Sequence, residues 1–265
     1  MNVPQIAHDL TEEQDALDAI VAPLRVDQWS LATPSPRWTV ADQIAHLAFF
    51  DESAVRAITD QTAFAADVEL LVRASADGDE AADAATMGDL RELPPPELLE
   101  RWREGRRRLA AAAETLDDAT RVNWYGPSMS AKSFLTARLM EVWAHGQDVV
   151  DALGVERAPT DRLRHIAQLG LITRGWSYVN RGLTAPDDLV RVELEAPDGG
   201  TWSFGPDDAT EGVAGPAADF CLVVTQRRHL DDTALVGTAL AKEWLLIAQA
   251  FAGPATDGPS AGARG

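Results

Sequence analysis

The stretch Arg138-Leu139-Met140-Glu141-Val142-Trp143-Ala144-His145-Gly146-Gln147-Asp148 decides how this chain is read. Its apolar residues recur at helical spacing, and Glu141 and His145 are four apart, so a helix sets both on one face. Far upstream, Ala41-Asp42-Gln43-Ile44-Ala45-His46-Leu47-Ala48-Phe49-Phe50 reads as a second helix, with His46 among apolar neighbours. One carboxylate and two imidazoles from two packed helices can hold a divalent metal and leave coordination positions open. The chain has five histidines (His8, His46, His145, His165 and His229), so two of them inside apolar helical patterns carry information. A buried unpaired glutamate is costly, and a metal explains its placement. The plain alternative is a structural bundle with no metal, since Glu-x3-His pairs arise by chance in acid-rich helices.

Outward from this pair, the periodicity predicts helices over 4–28, 40–60, Glu97–Leu116 and from about Ser130 to Leu153, stopping at Gly154. Thr39 caps the second of these, with Asp42 at the capping-box position. Between them, Ala65–Pro96 is acidic and rich in small residues and is expected to be a mobile, partly helical excursion. Asn123–Ser128 reads as a turn. After Pro159 a fifth helix is expected over 160–182, then a hairpin of 190–195 with Thr201–Phe204 around Pro197–Gly200, and helices over 216–225 and 238–251. The expected fold is therefore mainly α with a small α+β part. Residues 1–155 form a four-helix bundle, 156–252 a linking helix and small α+β domain, and 253–265 a disordered tail.

Composition narrows the function classes. The formal net charge is −19, which disfavours phosphate backbones and anionic lipid, so no nucleic-acid or membrane partner is expected. No stretch approaches the ~20 apolar residues of a membrane span. The N-terminus shows no basic leader and apolar block, so a cytoplasmic protein is expected. Cys221 is the single cysteine, inside an apolar run, and reads as a small buried hydrophobe. Around the candidate ligands, Asp148 and Asp42 lie one turn away and are candidates to hold an imidazole N–H. Arg138 shares the Glu141 face and is a candidate for Glu141 or for an anionic substrate.

The segments Ile44-Ala45-His46-Leu47 and Glu141-Val142-Trp143-Ala144-His145-Gly146-Gln147-Asp148-Val149 resemble the metal-site helices of the DinB/YfiT-like superfamily. More narrowly, they resemble the actinobacterial mycothiol-dependent maleylpyruvate isomerases. Thr33–Asp42 is similar to that family's loop into the first ligand helix, and Val213–Phe220 to the Gly-Pro-Ala helix start of its C-terminal domain. The resemblance implies zinc held by His46, Glu141 and His145, a sterol-carrier-protein-like C-terminal domain, and an arginine from that domain, here Arg227 or Arg228.

The resemblance also implies mycothiol as the thiol cosubstrate. Zinc favours the thiolate, which attacks an electrophilic carbon of a small molecule. Release of the thiol after bond rotation is isomerisation; its retention is S-transfer. Arg138 with Arg227 or Arg228 is a candidate clamp for a substrate carboxylate, and Trp38, Trp143 and Trp176 are candidate pocket walls. Two other readings stay open. One is a hydrolase whose metal-activated water is served by Asp148 or Asp42. The other is a non-enzymatic metal protein that encloses an apolar ligand. A monomer or homodimer fits all three.

Overall fold

The computed structural model describes residues 1–263, and the last two residues of the expected tail lie outside this range. Contacts divide the chain into two compact units, Met1–Glu156 and Arg157–Gly265. In the first, four long helices pack as a bundle: α1 (Val3–Val21), α3 (Val40–Thr59), α6 (Pro95–Ala113) and α7 (Ala131–Leu153). A single turn, α2 (Val26–Trp29), follows α1, which ends earlier than its apolar spacing suggests. Each long helix buries one apolar stripe, as for Leu98, Trp102 and Leu109 of α6. The opposite face of α6 carries arginines that pair with acids on its neighbours. Arg103 and Arg106 meet Asp18 of α1, both at 2.7 Å, and Arg101 meets Glu52 of α3 at 3.0 Å.

Local chemistry sets the ends of the two site-bearing helices. Thr39 caps α3 with Asp42 in a reciprocal capping box. Ser130 caps α7, accepting from the Ser133 N–H, and α7 stops where Gly154 turns left-handed at φ 64°.

The stretch expected to be a mobile excursion is instead two helices, α4 (Gln61–Ala76) and α5 (Asp79–Arg91). Their apolar periodicity is weak because few of their residues are buried; Phe64 is the buried residue of α4. Long-range contacts anchor them. Phe64 stacks flat on Trp124 at 5.5 Å, Arg56 of α3 meets Asp67 at 2.6 Å, and Arg91 donates to Asp42 at 2.6 Å. The expected turn at 123–128 lies within an antiparallel hairpin of β1 (Arg121–Trp124) and β2 (Gly126–Ser130).

In the second unit the expected fifth helix is broken into α8 (Leu163–Ile172) and α9 (Arg174–Val179). The hairpin of β3 (Val190–Glu195) and β4 (Thr201–Phe204) is present, and β3 also pairs in parallel with β5 (Glu211–Pro216). Helices α10 (Ala217–Val224) and α11 (Ala239–Ile247) pack near a short β6 (Val236–Gly237), which pairs with β5. A Cβ on Gly170 of α8 would lie 2.9 Å from Val224 of α10, so only glycine lets these helices approach this closely. Cys221 is fully buried, and burial pushes its thiol well above the usual range, which suits a core residue rather than a nucleophile. Among the described residues, those after Gly253 hold no helix or strand, yet Asn180 donates to the Gly253 carbonyl and the Gly262 N–H reaches Asp232.

Candidate metal centre

Helices α3 and α7 pack side by side and bring His46, Glu141 and His145 together. Among the described residues, these three offer ligand atoms that all lie within 4.8 Å of one another. Glu141 Oε2 is the hub. It lies 3.3 Å from His46 Nε2 and 3.1 Å from His145 Nε2. The imidazole rings sit 4.3 Å apart between centroids, with Trp38 against both and Phe50 against His46 at 4.6 Å. The far nitrogen of His145, Nδ1, lies 2.6 Å from Gln43 Oε1.

Electrostatics prepares these groups as ligands. Burial works to raise the Glu141 carboxyl, but hydrogen bonds from His145 and His46 outweigh it and hold the group well below its ordinary range. Burial, with His145 adding to it, lowers His46 from 6.5 to about 4. The site thus offers an anionic carboxylate and a neutral imidazole, the states a divalent metal requires. Two nitrogens and one oxygen also match the donors of catalytic zinc sites, which keep a position for water or substrate. The residues present fit the group.

A pH dependence follows for metal-free protein. Unfolded chain takes a proton on His46 near 6.5, whereas folded chain takes it only near 4. Stability is therefore full above the upper value and falls as pH drops through this window, by about 3 kcal/mol. Urea titrations at the two ends of the window check this, and His46→Gln should flatten the slope.

The neighbours expected to serve the site have contacts of their own. Asp42 accepts from the Thr39 N–H at 2.8 Å and from Arg91 at 2.6 Å, so it caps α3 and anchors α5. Asp148 is fully buried and accepts from the Ser35 hydroxyl at 2.9 Å. Arg138 does not reach Glu141; its guanidinium meets the buried Asp51 at 2.9 Å. Sequence reading missed Gln43, although it lies one turn before His46 and polar within an apolar stretch, which is a usable signal. Of the three tryptophans, Trp38 walls the site. Trp143 is buried on α7, and Trp176 lies in the second unit, its indole N–H donating to the Phe251 carbonyl. Arg227 and Arg228 also lie in the second unit, donating to the Thr225 and Arg227 carbonyls.

Comparisons with known proteins bear on this arrangement. Two uncharacterized proteins of Mycobacterium tuberculosis, from strains CDC 1551 / Oshkosh and H37Rv, are each 50% identical over 249 residues, covering 93% of this chain and 95% of the relative. A crystal structure of mycothiol-dependent maleylpyruvate isomerase superposes with a TM-score of 0.55 at 14% identity, covering 86% of this chain and 90% of that one. A mutant form of that isomerase gives 0.58 at 14% identity, covering 89% and 93%. At this identity the likeness shows a shared fold. Residues 186–238 match a family model described as wyosine base formation. Residues 10–150, more than half of the chain and including all three candidate ligands, match the model described as the mycothiol maleylpyruvate isomerase N-terminal domain, and the chain belongs to that family.

Proposed function

We propose that this protein is a divalent-metal enzyme, with zinc the first candidate, that uses mycothiol to isomerise a small electrophile. The observation that carries the reading is the convergence of His46, Glu141 and His145 from two helices inside a family named for such an isomerase. A divalent ion bound there supplies Lewis acidity that favours the thiolate form of a bound thiol. Glu141 contributes the negative charge that retains the cation, and His46 contributes a neutral donor. Trp38 and Phe50 cover the imidazoles with apolar surface, which limits water around a developing charge.

Arg138 is engaged by Asp51, so it is not proposed as a clamp for a substrate carboxylate. The hydrolase reading is weaker, because Asp42 is engaged by Thr39 and Arg91. Retention of the thiol, which would make the protein a transferase, has no support from the comparisons. For residues 156–252 a sterol-carrier-like domain is part of the proposal, supported by the antiparallel β3–β4 and parallel β3–β5 pairs with packed helices. Among the described residues no helix is long and apolar enough to cross a membrane, and a cytoplasmic location is proposed with the rest.

Cobalt-substituted protein titrated with mycothiol tests this. The expected result is a new sulfur-to-metal charge-transfer band, followed by thiol-dependent isomerisation of an unsaturated acid. Turnover of a hydrolysable substrate without thiol, with no such band, would move the assignment to hydrolase.

A further inference from the structure

The hydrogen bonds behind His145 have only one consistent polarity. The Trp38 carbonyl, an acceptor only, lies 2.8 Å from the Thr33 N–H and 2.9 Å from the Thr33 hydroxyl. The hydroxyl must therefore donate to it. Its lone pair then accepts from the Gln43 amide N–H at 2.8 Å. That turns the Gln43 carbonyl oxygen towards His145, 2.6 Å from Nδ1. Gln43 is fully buried, so no water offers the amide another arrangement. His145 must carry a proton on Nδ1, and Nε2 is left as the nitrogen that faces Glu141, 3.1 Å away. The 3.1 Å between Nε2 and Glu141 is bridged by a proton in metal-free protein, which Nε2 donates to the carboxylate, and a bound metal would take that proton's place.

We propose that Gln43 and Thr33 are positioning residues: they lock His145 in the Nδ1–H form, so that Nε2 faces the metal position. The inference rests on the metal reading above. The loop is built for this task. Pro34 and Pro36 stiffen it, an Ala32–Thr39 bridge closes its base, and Arg37 is held at φ 68°, which a non-glycine residue rarely adopts. The same loop sets the Trp38 ring against both imidazoles, and its indole N–H donates to Asp83 of α5 at 3.1 Å.

The test compares Gln43→Leu, Gln43→Glu and Thr33→Val by chelator competition for zinc and by nitrogen NMR of His145 in metal-free protein. Gln43→Leu is expected to weaken zinc binding ~10–100-fold, the usual effect of removing the partner of a metal-binding histidine. Gln43→Glu keeps an acceptor for the Nδ1–H and should retain most of the affinity. Thr33→Val frees the amide to turn over and should fall between them. Metal-free wild type should show a protonated Nδ1 on His145. A His145 whose Nδ1 carries no proton overturns the inference even if the protein binds no metal, and unchanged affinity in Gln43→Leu overturns it if the protein does. Wild type that binds no zinc but carries the Nδ1–H form defeats the metal reading alone. If Gln43→Leu does not fold, Thr33→Val and the wild-type tautomer still decide.

Discussion

Purified protein is expected to carry about one divalent metal per chain, and His46→Ala is expected to abolish its retention. His46 is the ligand from α3, and without it the remaining pair, Glu141 and His145, lies on α7 alone. The substitution also removes one of the two imidazoles that hold Glu141 ionised in a buried position, so the anchor weakens with the ligand. With free metal at a thousand times Kd, the loss of binding removes about 4 kcal/mol of apparent stability. Metal analysis after gel filtration, without chelators, measures the first effect, and thermal unfolding with and without added zinc measures the second. His165→Ala and His229→Ala, both in the second unit, should leave the metal content intact. Wild type without metal would remove the basis of the proposed chemistry.

The second large effect concerns stability. Asp51 of α3 is fully buried and accepts from one residue on each of the other three bundle helices. These are Gln14 of α1 at 3.0 Å, Trp102 of α6 at 3.2 Å and Arg138 of α7 at 2.9 Å. Burial pushes the Asp51 carboxyl upward while Arg138 pulls against it, so the ion pair is costly to hold and more costly to break. Asp51→Ala leaves the buried Arg138 charge without this partner and should destabilise the bundle by about 3–5 kcal/mol, lowering Tm by on the order of 10 °C. Asp51→Leu combined with Arg138→Met removes both charges and should recover most of the loss, since a packed apolar pair often matches a buried ion pair. A loss below ~1 kcal/mol in Asp51→Ala would show that this node does not hold the helices together. The cycle also separates structure from function: Arg138→Met with Asp51→Leu should keep the metal, because neither residue touches a candidate ligand.

The bundle and its three candidate ligands were legible because their signals are local. Apolar spacing marks α1, α3, α6 and α7, the Thr39 and Ser130 caps mark two starts, and an i, i+4 relation puts Glu141 and His145 on one face. The hairpin of β3 and β4 was legible for the same reason: alternation and a turn lie close in sequence. The rest depends on partners far apart along the chain. Helices α4 and α5 bury little and are held by Phe64, Asp67 and Arg91, whose partners lie on α3 and β1 or in the cap of α3. The parallel pairing of β3 with β5 skips over β4, and no local pattern announces it.

Within the site the division is the same. Sequence periodicity determined which residues face the bundle interior, and so which side chains could become ligands. Only the packing of α3 on α7, with the 31–39 loop folded over them, decided that Gln43 orients His145 and that Asp51 takes Arg138. A helix repeat encodes the direction of a side chain, whereas its partner is set by the face that another helix turns towards it.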